Sequence, residues 1–80
     1  MDNKHYDSFL KEFGKHLRQI RKDKGLSMEA LSYKAEIEYR QLGRIERGEI
    51  NTSIITSLRL AEALQVELSK LFLFEYKSTF

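Results

Sequence analysis

Eighty residues, with 14 basic and 12 acidic side chains, make one domain with no room for a second core. The absence of Cys excludes disulfides and thiolate metal sites. The absence of Pro, with only four Gly, favours helices over a turn-rich β fold, and no apolar run approaches the roughly 20 residues of a membrane span. A net charge of +2 is a weak argument for nucleic acid, and residues 26–51 carry four basic against five acidic groups, so such a reading must rest on where the charges point.

The first helix is marked by Phe9, Phe13, Leu17 and Ile20, spaced four, four and three apart. It is expected from about Tyr6 to Lys24, stopped by Gly25, with Lys11, Lys15, Arg18 and Lys22 on its other face. Residues 1–8 read as a frayed lead-in without the uninterrupted apolar stretch of a secretion signal, which places the protein in the cytoplasm, at the nucleoid if bacterial. Ser27 is a good N-cap for a second helix over 28–35, with Glu29 in the first turn. Leu26 and Leu31 are spaced as a hydrophobic staple. The same five-residue step recurs at Ile37 and Leu42 around Glu38, and at Ile50 and Ile55 around a cap at Asn51. Two further starts follow, giving helices over about 39–47 and 52–64. Gly48 is placed to end the third helix, and Leu68 to Phe72 forms a last short one. The result is an all-α protein of five short helices. The tight joint from Ala35 to Glu38 fits a helix-turn-helix, and it fits a plain helical bundle too.

On the third helix, steps of about 100° per residue put Leu42 and Ile45 on the core side. Arg40, Arg44 and Arg47 form a stripe opposite, with Gly43 at its edge and Glu46 between the faces, nearer the core. Most charge runs are solvated faces. Here arginine stands at all three positions, and its rigid fork can hold guanine O6 and N7 or grip a phosphate. Gly43 costs roughly 1 kcal/mol relative to Ala inside a helix. Its missing side chain allows close approach to another surface, either DNA or a neighbouring helix.

The spacing IRKDKGLS…AL, the string RIERGE and the later LAEALQV…LF resemble the lambda-repressor-like helix-turn-helix family, also called the Xre or Cro family. The likeness runs over about residues 13–72. It implies a compact five-helix DNA-binding domain, with the second helix across the DNA backbone and the third in the major groove. By position, the resemblance makes Tyr39, Arg40 and Arg44 readers of base edges, with Glu38, Gln41 and Gly43 beside them. It makes Ser27, Met28, Arg47 and Asn51 the phosphate-contacting positions. It also implies a structural pair between Arg21 and Glu46 that ties the recognition helix to the first. Three residues depart from the family pattern. Met28 stands where Gln is frequent, so a polar contact is expected to be missing. Glu36 stands where the turn usually has Gly, so a turn of different shape is expected. Gln65 replaces a common Gly after the fourth helix.

The C-terminal LFLFEYKSTF is rich in aromatic residues. Leu73, Phe74, Tyr76 and Phe80 exceed the family core; they either cover the domain's own open end or, the reading favoured here, contact a second copy. His5 and His16 lie about three turns apart with no Cys to complete a metal site, and Ser27, Ser32, Ser53 and Ser57 lack the context of a catalytic triad. No enzyme activity, metal, cofactor or small-molecule substrate is expected. The expected function is a transcriptional regulator, a repressor or promoter-proximal controller, that binds a palindromic site on double-stranded DNA as a homodimer. Restriction-modification controller, phage-type and antitoxin-like roles all suit the family. The rival from another class is a protein-interaction module of the same fold, docking its third helix on a protein partner. A non-specific DNA coater is disfavoured, because +2 is meagre for a purely phosphate-driven affinity.

Overall fold

The computed structural model describes residues 4–77. Four α-helices, α1 (Lys4–Asp23), α2 (Met28–Ala35), α3 (Tyr39–Glu46) and α4 (Ile54–Leu64), are followed by a 3₁₀ helix, Leu68–Phe72. No strand occurs among the described residues. The fifth helix of the sequence reading is thus a tight 3₁₀ segment. The expected lead-in is also shorter, since residues 4–8 already belong to α1.

Short helices need local stop and start signals, and here the stops are alike. After each α-helix one residue turns left-handed and the next amide bonds back five residues. Leu26 N–H donates to Arg21 O (3.1 Å), Ile37 to Ser32 O (3.0 Å), Glu49 to Arg44 O (2.9 Å) and Val66 to Ala61 O (3.0 Å). The left-handed residues are Gly25, Glu36, Gly48 and Gln65, with φ of 71°, 57°, 71° and 57°. The turn at Glu36 therefore keeps the shape a glycine would give it, contrary to the expectation. The two backbone bonds of the motif and the half-buried Ile37 beyond it offset the strain of a left-handed Glu.

The starts divide. Ser27 caps α2, its Oγ accepting from Ala30 N–H at 3.0 Å. Glu38 precedes α3 with no side-chain cap bond, so that helix start relies on the Ile37–Leu42 staple and its tertiary packing. The expected cap at Asn51 is corrected to Ser53, whose Oγ accepts from Thr56 N–H at 3.0 Å. With the start two residues later, Ile55 falls in the first turn and is exposed, and the third staple is not formed.

The core gathers one face from every element. Leu17, Leu31, Leu42, Ile45, Leu60, Leu64 and Leu71 are fully buried, and Phe13 and Ile20 nearly so. Each such burial contributes about 1.5–3 kcal/mol. α3 packs on both α1 and α2, and α2 packs also on α4. At the α1–α3 crossing, Gly14 lets two backbones touch: a Cβ there would stand 2.4 Å from Glu46 O and 2.6 Å from Ile45 O.

The chain beyond the 3₁₀ helix turns back onto α1. Phe74 packs on Phe9, Phe13 and His16 with ring centroids 5.4, 6.4 and 5.4 Å apart, and Tyr76 meets Phe9 edge-on at 5.0 Å. His16 Nε2 lies 2.7 Å from Lys70 O. His16 is therefore a half-buried strut of this segment, not the surface residue expected. Phe74 and Tyr76 cover the domain's own end, whereas Leu73 remains 76% exposed. Phe80, expected with them at a contact between copies, lies outside the described residues.

Candidate nucleic-acid interface

The α2–α3 unit presents the face of interest. α3 carries its apolar residues at 42 and 45, and both are buried against α1 and α2. A helix eight residues long that is fixed on that side must turn positions 40, 44 and 47 to solvent. Arg40, Arg44 and Arg47 are exposed, as are Glu38 and Tyr39, and Gln41 is half-buried beside them. Ser27, at the N-terminus of α2, is exposed while its Oγ serves as the cap. Asn51 is exposed in the loop between α3 and α4.

A buried pair sets the pose of this face. Arg21 Nε donates to Glu46 Oε2 at 2.7 Å and Arg21 Nη2 to Glu46 Oε1 at 3.0 Å. The two side chains are 9% and 5% exposed. A third donor, Nη1, reaches Leu26 O at 3.0 Å. One guanidinium thus links α1, the end of α3 and the turn before α2. The hydrogen bond that Arg21 donates to Glu46 holds the Arg21 guanidinium above its ordinary pKa, so this charge is permanent. Two parallel bonds fix orientation as well as distance, which suits a strut for a recognition element.

The close approach that Gly43 permits is internal. Gly43 is buried; a Cβ there would stand 3.0 Å from Arg47 Nη1 and 3.5 Å from Met28 Cε. Met28 is half-buried and packs against the core, so this position contributes apolar cover instead of a polar contact. Arg18, Arg21, Met28, Gly43, Glu46 and Arg47 line a shallow depression of about 170 Å³ at this corner.

The arginine stripe is not fully free. Glu49 accepts from Arg47 Nε at 2.6 Å and from Nη2 at 3.4 Å, and its Oε1 lies 3.8 Å from Arg44 Nε. The bond to Arg47 lowers the Glu49 carboxyl below the ordinary carboxylate range and raises the Arg47 guanidinium. The sequence reading missed Glu49. The signal was present in Gly48: a left-handed residue after a helix folds the next residue back over the last turn, so 49 faces 44 and 47. Gly14, which the same reading passed over, lets α3 sit directly on α1. Among the described residues, no group of three or more His, Asp or Glu could hold a metal ion.

Residues 17–71 match the model of a family described as Helix-turn-helix, HTH_3. An uncharacterized HTH-type transcriptional regulator of Sinorhizobium fredii, y4dJ, is 34% identical over 53 residues, which are 66% of this chain and 69% of that one. The crystal structure of the restriction-modification controller protein C.AhdI from Aeromonas hydrophila superimposes with a TM-score of 0.80 at 40% identity, over 81% of this chain and 98% of that one. An HTH_3 family transcriptional regulator from Vibrio cholerae gives 0.76 at 33% identity, over 82% of this chain and 38% of its own. The clp gene regulator ClgR from C. glutamicum gives 0.74 at 24% identity over 78% and 80%, a likeness of fold alone.

Proposed function

Because this chain belongs to the HTH_3 helix-turn-helix family and is a transcriptional regulator rather than an enzyme, we propose that it binds a specific, palindromic DNA site as a homodimer. The observation that carries the reading is the two-sided build of α3. Leu42 and Ile45 are buried and Glu46 is pinned to Arg21, while Arg40 and Arg44 stand exposed on the opposite face and Tyr39 is exposed at its flank. A rigid helix with its charged face outward is what reading base edges in a major groove requires. In this reading Tyr39, Arg40 and Arg44 read bases, with Glu38 and Gln41 at the margin. Ser27, Arg47 and Asn51 hold phosphates and fix register. Met28 shapes the floor under Arg47 instead of contacting a phosphate by a polar group, and Gly43 admits that floor.

The homodimer is supported by apolar surface that the fold leaves uncovered. Ile54 and Ile55 are 79% and 60% exposed, and Leu58, Phe72 and Leu73 are exposed too. The likeness to a restriction-modification controller favours a role as a repressor or promoter-proximal controller.

The test is selection from a pool of randomised duplexes at near-physiological salt. Enrichment of inverted half-sites is expected, with each base-reading arginine contributing about 1–3 kcal/mol of discrimination. Arg40→Ala with Arg44→Ala should erase the preference. Enrichment that is unchanged by this double substitution, or no enrichment at all, would reject the reading.

A further inference from the structure

We propose that Glu49 restrains DNA binding: in the free protein its carboxylate takes the place of a DNA phosphate on Arg47 and Arg44, and DNA has to displace it. The inference rests on the DNA-binding reading above and adds a residue that opposes the contact. Three observations converge. Glu49 meets the fork of Arg47 through both oxygens, at 2.6 and 3.4 Å, in the way a phosphate would be gripped. The same carboxylate reaches Arg44 at 3.8 Å. Arg47 also folds back over the space left by Gly43, where its Nη1 would lie 3.0 Å from a Cβ. The glycine, the arginine and the glutamate together form a clasp on the exposed face of α3.

The consequence is electrostatic. When DNA arrives, Arg47 exchanges a carboxylate for a phosphate. The displaced carboxylate remains tethered one turn away, beside a polyanion. Residues 26–51 carry four basic and five acidic groups, and Glu49 is the acid that meets two of those bases, Arg47 and Arg44. Phosphate contacts strengthen binding to every sequence alike, whereas base contacts discriminate. A carboxylate aimed at the phosphate-gripping arginine therefore holds down non-specific occupancy, which matters when competing sites vastly outnumber the target.

The experiment compares the full chain with Glu49→Gln, which keeps the shape and removes the charge. Binding to a duplex of arbitrary sequence is measured by fluorescence anisotropy over a salt series. Glu49→Gln is expected to bind about 2- to 5-fold tighter at fixed salt, the range an exposed ion pair allows. The slope of log K against log salt should steepen by up to about 0.9, one phosphate's share. Glu75→Gln, an equal charge change outside the α2–α3 unit, should give a smaller gain. In an Arg47→Gln background the gain from Glu49→Gln should fall by more than half. Equal or weaker binding by Glu49→Gln overturns the inference. So does a gain matched by Glu75→Gln, or one that persists undiminished without Arg47. If the unsubstituted chain binds no duplex at any salt, the DNA-binding reading fails and this inference with it. If it binds normally and Glu49→Gln changes nothing, only this inference fails.

Discussion

Replacing Glu46 by Ala tests how the recognition helix is held. The two oxygens of Glu46 take two donors from Arg21, at 2.7 and 3.0 Å, in a site where both side chains are more than nine-tenths buried. Ala would leave the guanidinium with its one bond to Leu26 O and an uncompensated buried charge. Breaking one partner of such a pair costs about 3–5 kcal/mol. A domain of this size has a total stability of about 4–12 kcal/mol, at about 0.05–0.15 kcal/mol per residue. The variant should therefore lose a quarter or more of its stability, and at the lower bound of that stability it should be close to or past its unfolding midpoint. Urea denaturation followed by far-ultraviolet circular dichroism gives the number. If the cost comes from the orphaned charge, removing both partners should recover most of it. Arg21→Met with Glu46→Met is thus expected within about 1 kcal/mol of the unsubstituted chain, since apolar replacements of similar volume are tolerated in place of a buried pair. A loss below about 1 kcal/mol in Glu46→Ala, or a double variant as unstable as the single one, would refute the reasoning.

Other consequences follow from the glycines, the left-handed turn and the surface pair. Gly14→Ala sets a methyl against the backbone of Glu46 and Ile45, neither of which can swing away, so α1 and α3 must part. A loss of about 1–3 kcal/mol is expected by thermal or urea unfolding, despite the better helix propensity of Ala. Gly43→Ala meets only the tip of Arg47 and the methyl of Met28, both able to give way, so a gain of up to about 1 kcal/mol is expected by the same measurement. Glu36→Gly relieves a left-handed side chain at φ 57°, and a gain of up to about 1 kcal/mol in urea denaturation would show the strain is real. Glu49, held below the ordinary carboxylate range by the Arg47 hydrogen bond, binds fewer protons in the native state than in the unfolded one. Its contribution to stability is present above the ordinary carboxylate value and disappears as pH falls through the lowered one. A carbon-detected NMR titration of its carboxyl should give a low midpoint that rises in Arg47→Gln.

What the sequence determined by itself was local. The Leu26–Leu31 and Ile37–Leu42 staples, the cap at Ser27 and the stops at Gly25 and Gly48 are interactions within about one helical turn, and they placed α1, α2 and α3 to within two residues. The outward stripe of Arg40, Arg44 and Arg47 followed from helical period alone once Leu42 and Ile45 were taken as core. Even local reading failed where two caps competed. Asn51 and Ser53 are both good N-caps by type, and the fold uses Ser53, whose Oγ accepts from Thr56 N–H.

Tertiary structure decided what each side chain faces across the chain. In the sequence, Phe74 and Tyr76 favour a contact between copies over cover for the domain's own open end, yet hydrophobicity says only that a ring will be buried and not by which partner. In the fold Phe74 packs on Phe9 and Phe13 and Tyr76 on Phe9, more than 60 residues earlier. Gly14 and Gly43 look alike as helix glycines, yet one admits a rigid backbone and the other a movable arginine. Glu49 counts as one acid among twelve in the composition, and only the left-handed turn at Gly48 brings it onto the arginines it restrains. Spacing along a helix is fixed by backbone geometry and can be read from the chain, whereas the group standing opposite depends on how distant segments meet.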